Sequence, residues 1–544
     1  MADSISSNAG QDQGSFFGRL LALLRPSHAH SAFTATLLLM ATTFLSRIIG
    51  LVRVKYIAWQ FGAGPTTDAY LAAFRLPDLM NYILVGGAAS ITFVTILNRY
   101  REQGKEAEGE RVLSIVINAV GLMLLAGVAV CMLLARPYIS HLNPGFEPWQ
   151  MDLAVRMTRI LLPGQIFFFV GGVLGATLQV RRLFLYQGLT GIVYNFGIIF
   201  CGVLLAHSMG ISALAVGALL GAFLGSFALN AWGAWRVGVR HTWSLDLHHP
   251  GLREWLMMTL PLMAGFTLPF LDDYIVGFYA SHGAGDITRL ANAKQLFSAP
   301  MAVLAQAAGA ASLPFFARLW AQEKHYEFAV GVANSASRVM ALGLLAASWM
   351  AALAQPLVHL IFLGGHFGPE DVRRTALYFC LYSLALFLWS AQAIYARAFY
   401  AAGNTWLPMI AGSIVTLVAL PFYWIGFHTA GATGLALASD AGIALQTLSL
   451  AFLLHRRRMV SLASLDYLEM GRCLLAGLAG GLLVWGVLRG LAGGHMASSR
   501  LVDLAELVVG SALWFALAAF LLESTGSVLP QAFLARLRRR GKAA

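Results

Sequence analysis

The stretch from Phe44 to Trp59 reads FLSRIIGLVRVKYIAW and places three cations, Arg47, Arg53 and Lys55, in a continuous apolar run. Similar runs recur from Phe33 to Leu522, and each is long enough to cross about 30 Å of hydrocarbon. A guanidinium that faces lipid costs at least ~2.5 kcal/mol, so Arg47, near the middle of its run, is expected to face a hydrated interior. The stretch therefore predicts a membrane helix that lines a polar cavity.

The composition indicates whether the chain folds in water or in a membrane. Of 544 residues, 58% are hydrophobic and only 11% are charged, and the mean hydropathy is +0.70. A soluble chain of this length needs far more polar surface. The 55 glycines are typical of closely packed membrane helices. We therefore predict an all-α, polytopic helical membrane protein.

Hydropathy predicts about fourteen membrane spans. Their approximate starts are Phe33, Thr66, Val112, Asp152, Tyr186, Ile211, Leu256, Leu290, Phe328, Val372, Leu407, Ala432, Gly471 and Leu501. The connectors alternate in charge: NRYREQGKEAEGER, LHRRRM and ARLRRRGK are basic, whereas NPGFEPWQ, HSMG and HFGPED are nearly free of Lys and Arg. Because basic connectors stay in the cytoplasm, both termini are predicted to lie inside. Basic loops that meet anionic lipid headgroups also explain the net charge of +12 without nucleic-acid binding.

An internal repeat divides most of the chain into two similar halves. FGAGPTTDAYLAAFRLPDLM is matched by HGAGDITRLANAKQLFSAPMA, with Gly62 and Gly283 separated by 221 residues and Pro77 and Pro300 by 223. A further pair, QVRRLFLYQG and YARAFYAAGN, is offset by 216 residues. Chance similarity among apolar helices is the alternative. Three matches near one offset favour a duplication of six spans, which keeps both copies in the same orientation, as in transporters that rock two halves about a central site.

These observations predict five regions along the chain. Residues 1–32 form a polar tail that ends in either a short surface helix or a linker. Residues 33–240 form an N-lobe of spans 1–6, and residues 241–458 form a C-lobe of spans 7–12. Residues 459–526 contain spans 13 and 14, and residues 527–544 form a basic cytoplasmic tail.

The cations of the first span indicate the charge of the ligand that the chain binds. At about 100° per residue, Arg47, Gly50 and Arg53 share one broad helix face, and Gly50 leaves space between the two cations. Lys55 points elsewhere, near the outer end, where its long stem can snorkel. A guanidinium binds phosphate through paired hydrogen bonds, so two arginines in one cavity favour an anionic substrate. The alternative is that the arginines are structural and bond to helix ends.

The same residues carry a family resemblance. SRIIGLVRVKYIAWQFGAGPTTDAYLAAFRLPDL, at residues 46–79, resembles the signature of the MurJ/MviN family of lipid II flippases, and further matches are NPGF, GLTGIVYN and ARAFYAAGNTWLP. The resemblance implies the fold of the multidrug/oligosaccharidyl-lipid/polysaccharide exporter superfamily and a substrate of undecaprenyl diphosphate bearing a disaccharide-pentapeptide. It also implies alternating access, a bacterial inner membrane, a groove for the lipid tail formed by spans 13 and 14, and cell-wall synthesis proteins as candidate partners.

Seven residues are carried over from the resemblance. In span 1 the matching positions are Ser46, Arg47, Gly50 and Arg53, and in span 2 they are Asp68, Arg75 and Pro77. The resemblance implies substrate binding for Arg47, Arg53, Asp68 and Arg75, and structural or gating roles for Ser46, Gly50 and Pro77. Asp68 follows the turn at Pro65, so an equal alternative is that it caps span 2.

Three cavity charges of the family are absent from this chain. Asn81 stands where the family commonly has Arg, Gly86 where it often has Glu, and Gln295 where span 8 has Arg. Lys294 directly precedes Gln295, and adjacent helix positions differ by about 100°. Either Lys294 substitutes for the missing arginine as a substrate-binding cation, or the headgroup is held differently.

Two carboxylates in the C-lobe are candidates for energy coupling. Asp273 in span 7 and Asp440 in span 12 both lie at mid-depth or further out, where a sodium ion or a proton can be held. Asp272 competes with Asp273, and the alternative is that each carboxylate bonds a nearby hydroxyl or backbone group. The family's cation site uses spans 7, 11 and 12, but span 11 here lacks its asparagine, which leaves proton coupling open.

Four classes of function compete. A flippase for lipid II leads. The second is another lipid-linked saccharide flippase, or a multidrug or ion-coupled exporter of the same superfamily. In such an exporter, carboxylates rather than arginines would dominate the cavity of the first half. An intramembrane enzyme lacks a catalytic constellation, and a scaffold without transport does not explain buried arginines. No cofactor or metal site is predicted, and His248 and His249 are interpreted as solvated loop residues.

Overall fold

The computed structural model describes residues 32–85, 88–263, 268–491 and 499–530. Within these ranges the chain is helical, with one isolated β-bridge between Gly364 and Phe367. The predicted surface helix before residue 32, the position of Gly86 and most of the basic tail lie outside the described residues.

The first ten α-helices extend from Ala32 to Met263. Their bounds are α1 (Ala32–Phe61), α2 (Pro65–Met80), α3 (Ala88–Glu102), α4 (Glu106–Leu142), α5 (Pro148–Leu161), α6 (Gly164–Val180), α7 (Leu185–Met209), α8 (Ser212–Gly221), α9 (Leu229–Arg236) and α10 (Pro250–Met263). Two π-helical segments occur among them, Asn81–Val85 after α2 and Ala222–Ala228 between α8 and α9.

The remaining helices extend from Leu268 to Ser524. Their bounds are α11 (Leu268–Ala280), α12 (Asp286–Met301), α13 (Ala308–Ala321), α14 (His325–Ala352), α15 (Ala354–Phe362), α16 (Pro369–Leu384), α17 (Leu386–Ala401), α18 (Trp406–Arg456), α19 (Tyr467–Leu491) and α20 (Arg500–Ser524). A π-helical segment, Ala302–Ala307, joins α12 to α13, and a 3₁₀ turn, Leu462–Ser464, precedes α19.

The helices have the length and composition of membrane spans. Nine stretches in the described part of the chain are long and apolar enough to cross a membrane, and the bent pair α16–α17 makes ten. Every predicted span start lies within a helix or at its N-cap. The range of α18 covers predicted spans 11 and 12, and the non-helical backbone of Ala430 and Gly431 divides it into two helices at the predicted boundary. The all-α membrane architecture is therefore confirmed, while the count of fourteen stays a prediction.

The chain divides into two compact units. The first unit comprises residues 1–56, 69–141 and 146–265, and the second comprises residues 57–68, 142–145 and 266–544. Helices α19 and α20, which correspond to predicted spans 13 and 14, belong to the second unit. The lobe boundaries derived from the repeat stay a prediction.

Small residues allow close helix packing inside the first unit. A Cβ atom on Gly217 of α8 would lie 2.6 Å from the carbonyl oxygen of Gly197 on α7. The two backbones therefore meet without intervening side chains, which is the usual way that helices associate where lipid replaces water. Bulkier residues fill the rest of this core, among them Phe93, Phe169 and Trp255.

Apolar clusters hold the helices of the second unit together. One is built on Phe316, Phe328 and Phe399 from α13, α14 and α17. The other joins α14 to α19 and α20 through Cys473 and Trp514. These contacts attach the two C-terminal helices to α14 by packing over much of their length.

Candidate functional site

One face of α1 packs against α7 through small residues. A Cβ atom on Gly191 would lie 2.6 Å from Oγ of Ser46, and a Cβ atom on Gly50 would lie 3.9 Å from Oδ1 of Asn195. Ser46 and Gly50 are thus in the helix contact itself. A larger side chain at Gly191 would push α1 away from α7, so this contact fixes where the cations of α1 lie.

The two arginines of α1 have different surroundings. Arg47 is exposed, whereas Arg53 is half-buried and its Nε is a buried donor with no hydrogen-bond partner among the described residues. No ion pair in the described ranges involves either arginine. A buried unpaired donor is uncommon in folded proteins and is available to an acceptor from a ligand.

Polar groups surround Arg53 in the first unit. Arg53 and Asp78 are both close enough to act electrostatically on Tyr70 and Tyr194. Arg75, which is also predicted to bind substrate, is buried. It lies within electrostatic range of Tyr138, as does Asp78, whose charge is opposite. Arg53 and Arg75 therefore lie near different tyrosines, and Asp78 is the charged group near all three.

A cavity of about 250 Å³ opens beside α2 where the helix changes to π geometry. Its lining includes Asp78, Asn81 and Gln165, and Asn81 Nδ2 donates to Gln165 Oε1 at 3.3 Å. The π segment starts at Asn81, four residues after Pro77, which removes a backbone donor from α2. An amide pair thus occupies the place where the family's arginine is missing.

Asp68 caps a helix, but not the helix that the sequence suggested. Its Oδ2 accepts from the backbone N–H of Gly285 at 2.6 Å, and its Oδ1 accepts from the N–H and hydroxyl of Thr288 at 2.9 and 2.7 Å. These donors form the start of α12 in the second unit, so the expectation that Asp68 caps span 2 is corrected. The buried carboxylate satisfies orphan amides of α12 and lies at the positive end of its dipole.

The turn before α12 contains a glycine in the left-handed region, and the ion pairs of Arg289 lie close to it in sequence. Gly285 has a φ of +81°, which a residue with a Cβ rarely adopts. Arg289, the position related to Asp68 by the repeat offset of 221, pairs with Asp286 at 2.9 Å and with Asp371 at 2.8 Å. The two copies of the repeat therefore carry opposite charges at the same place.

The second unit holds its membrane cation between carboxylates. Lys294 Nζ donates to Asp272 and to Asp273, the latter at 2.6 Å. Asp272 is buried and also accepts from the hydroxyls of Tyr423 and Ser439, the latter at 2.6 Å. Asp273 has a side chain that is 69% exposed. Asp272, which the sequence placed second to Asp273, is the centre of this cluster.

Asp440 faces the same space. It lines a cavity of about 130 Å³ together with Asp272, Asp273 and Lys294. The Lys294 Nζ also lies 5.6 Å from the ring centre of Tyr382, within the range of a cation–π interaction. The structure thus brings the predicted coupling residues and the predicted substrate lysine into one cluster, in which the lysine charge is already neutralised.

The family is decided by the extent of the match. A family model described as lipid II flippase MurJ matches residues 57–496. The chain belongs to the MurJ family. Asp68 and the Lys294 cluster lie inside the matched range, and Arg47 and Arg53 precede it. The roles of all these residues stay predictions.

Curated MurJ relatives match over most of their own length. The chain is 26% identical over 471 residues to a probable lipid II flippase MurJ of Vibrio cholerae, covering 82% of this chain and 88% of the relative. It is 26% identical over 436 residues to lipid II flippase MurJ of Burkholderia cenocepacia, covering 78% and 84%.

Solved structures show the same fold. A lipid II flippase MurJ in an inward closed conformation aligns with a TM-score of 0.73 at 20% identity, over 90% of this chain and 99% of that chain. An inward-facing multidrug resistance transporter of the MATE family, in the MOP superfamily, aligns with a TM-score of 0.62 at 16% identity, over 76% and 94%. The superfamily fold implied by the sequence is confirmed.

Sequence reasoning missed several partners in both units. Tyr423 and Ser439 of α18, one before and one after the break at Gly431, donate hydrogen bonds to Asp272. Gln165 of α6 accepts a hydrogen bond from Asn81. None of these residues has a distinctive local motif. The available signal is the presence of uncharged polar side chains in otherwise apolar spans.

Proposed function

We propose that the chain moves lipid II, an undecaprenyl diphosphate-linked disaccharide-pentapeptide, from the cytoplasmic to the outer leaflet of the bacterial inner membrane by alternating access. The observation that carries this proposal is Arg53, with an unpaired buried donor beside an arginine that has no ion pair in the described ranges, in a chain of the MurJ family. Both termini lie in the cytoplasm in this scheme, as the basic connectors favour.

Arg47 and Arg53 bind the diphosphate. Neither arginine forms an ion pair within the described part of the chain, so a diphosphate gains charge-assisted hydrogen bonds without first breaking such a pair. Asn81 and Gln165 supply amide donors and acceptors in the adjoining cavity, where a sugar or peptide group finds neutral hydrogen-bond partners. This arrangement needs no chemical step, and the protein acts as a transporter rather than an enzyme.

The Lys294 cluster couples the binding of a cation to transport of the substrate. Lys294 is held by Asp272 and Asp273, and Asp440 is the remaining carboxylate of the cavity. A proton or sodium ion that binds Asp273 or Asp440 weakens the hold on the ammonium, which can then swing towards an anionic headgroup. In this form both predictions for the cluster, substrate binding by Lys294 and cation coupling by the aspartates, are steps of one cycle.

Complementation tests the proposal directly. Expression of the chain in a bacterium depleted of its own lipid II flippase should restore growth and cell shape, and purified protein in vesicles should expose labelled lipid II on the opposite leaflet. Protein that reaches the membrane at normal level, yet neither restores growth nor moves lipid II in vesicles, would overturn it.

A second candidate is a flippase for a different lipid-linked saccharide. The observation that favours it is the amide pair Asn81–Gln165, because neutral amides replace a family cation next to the proposed headgroup site. Competition in the vesicle assay separates the two: a diphosphate-linked glycan that lacks the pentapeptide should compete poorly for a lipid II flippase and equally well for the alternative.

A further inference from the structure

The second unit contains a larger cavity, distinct from the Lys294 cluster. Its volume is about 720 Å³, within the range typical of ligand sites. It lies where α14 ends, α15 and α16 begin, and α19 ends, and its wall includes the break in α18 at Gly431. In the proposed orientation these helix ends face the outer leaflet.

Three arginines line this cavity: Arg373, Arg374 and Arg489. Arg373 and Arg374 share one carboxylate, since each pairs with Glu370, at 2.8 and 2.7 Å. Arg489 rests 4.3 Å from the ring centre of Trp485, and no ion pair in the described ranges involves it.

The surrounding charges leave an excess of cations. Arg374 also lies 3.9 Å from Asp286, but that carboxylate is already held by Arg289 at 2.9 Å, and Arg289 also holds Asp371. The positive charges at and beside the cavity are those of four arginines, Arg289, Arg373, Arg374 and Arg489. The negative charges are those of three carboxylates, Asp286, Glu370 and Asp371. The group has a net charge of +1, which we assign to Arg489.

A backbone feature adds to the attraction for anions. Gly431 has a φ of +57°, and the helix restarts directly after it, with Ala432 and Thr433 in the cavity wall. The first amides of a restarted helix have no carbonyl partners within that helix and carry the positive end of its dipole. The arginines and this helix start converge on one cavity, and Trp485 with neighbouring alanines supplies an apolar side.

We infer that this cavity is a second anion site, which binds the phosphate or diphosphate of a lipid headgroup in the outer leaflet. Arg374 and Arg489 form the paired hydrogen bonds, Arg373 adds charge at the rim, and the restarted helix donates amides. The first carbons of the lipid lie against Trp485. The inference rests on the proposed function only for the orientation of the chain and for one of two sources of the phosphate: the transported lipid after it has turned, or a phospholipid of the bilayer.

The test separates this cavity from the α1 arginines. Full-length protein carrying Arg47→Ala and Arg53→Ala is placed in nanodiscs of zwitterionic lipid, and inorganic pyrophosphate is titrated. We expect saturable binding that remains in this background and weakens about tenfold when Arg374→Gln and Arg489→Gln are added, because charge-assisted hydrogen bonds are lost. Arg136→Gln, which removes an exposed arginine of the first unit, is the matched control and should leave binding unchanged.

Absence of pyrophosphate binding in that background, or binding that is unchanged by Arg374→Gln and Arg489→Gln, would overturn the inference. Melting temperatures of all variants establish that each is folded. Failure of the proposed function would instead appear as absence of lipid II flipping by the wild-type protein in vesicles, whether or not pyrophosphate binds.

Two competitors identify the source of the phosphate. Displacement of pyrophosphate by a short-chain polyprenyl diphosphate, but not by phosphatidylglycerol, supports a site for the transported lipid. The reverse order supports a site for bilayer phospholipid. Displacement by neither would overturn the inference, because no lipid phosphate then uses the cavity.

Discussion

In the first unit Arg53 keeps a buried donor without a partner among the described residues, whereas in the second unit Lys294 lies between Asp272 and Asp273. The first arrangement offers charge to an incoming anion. In the second arrangement the ammonium of Lys294 is already paired with two carboxylates. It becomes available to an anion only if one of these carboxylates binds a proton or a cation. In the proposed function, the arginines of α1 therefore serve recognition of the substrate, and Lys294 serves switching between states.

The largest effect is expected at the unpaired arginines. Arg47→Ala or Arg53→Ala should lower lipid II flipping by about 100-fold or more at normal membrane level, because two charge-assisted hydrogen bonds to the diphosphate are lost. Arg→Lys at either position should recover only part, since the planar fork is lost. Flipping is measured in vesicles, with Arg136→Ala as the control arginine of the same unit. Full complementation by Arg47→Ala would refute the binding role.

The paired lysine should affect stability more than recognition. Lys294→Ala leaves the buried Asp272 without its cation, which should cost about 3–5 kcal/mol of unfolding free energy. Adding Asp272→Asn should recover most of that loss, because the uncompensated charge is removed. Gln295→Ala, at the exposed neighbouring position, should change stability by less than about 0.5 kcal/mol.

Denaturant unfolding in detergent measures these differences. Flipping by Lys294→Ala, Gln295→Ala and Gln295→Arg, compared at matched expression, then tests the role of the lysine in transport. Full activity of Lys294→Ala would exclude it as a substitute for the missing arginine of span 8.

The fold was largely predictable from sequence, while the partners in the site were not. Apolar runs fix helices because a buried backbone in lipid must satisfy its own hydrogen bonds. Periodicity predicts that Arg47, Gly50 and Arg53 share one face of α1, and this shared face stays a prediction. It gives no information on which helix lies opposite, so the cap that Asp68 makes on α12 was assigned to the wrong helix. The interpretation of His249 as solvated was wrong for the same reason: it is buried and meets Glu108 at 2.9 Å.

Asp68 should have an intermediate effect on stability, because it holds a helix end through three accepted hydrogen bonds. Its role in substrate binding stays a prediction. Asp68→Ala removes three accepted hydrogen bonds at the start of α12 and should cost about 1–2 kcal/mol. Asp68→Asn keeps one carbonyl acceptor and is expected to lose less. Unfolding in denaturant measures both. Equal stability of Asp68→Ala and wild type would show that the cap contributes nothing.

The switching role of the second unit is tested by gradients. Flipping is recorded in vesicles with imposed sodium, proton and voltage gradients for wild type and for Asp273→Asn combined with Asp440→Asn. We expect the double variant to retain basal flipping and to lose its response to at least one gradient, because the carboxylates that bind the cation are gone. Asp272→Asn is the comparison within the cluster. If the double variant follows every gradient as wild type does, these aspartates do not couple transport.

The smallest effect is expected at the exposed acid of the second unit. Hydrogen bonds from Arg373 and Arg374 lower the pKa of Glu370 to about 2 from an ordinary value of 4.5. A depressed pKa means that the folded state binds the proton less tightly than the unfolded state. The stabilisation is therefore fully present above about pH 4.5 and is lost as the pH falls towards about 2. Glu370→Gln should make the loss of stability at acid pH slightly less steep. The change should be small because solvent screens an exposed ion pair. Melting temperatures of the two proteins between these pH values measure the difference. If Glu370→Gln loses stability in the acid range as steeply as wild type, the pairing with Arg373 and Arg374 does not contribute, and both guanidinium groups are free for another anion.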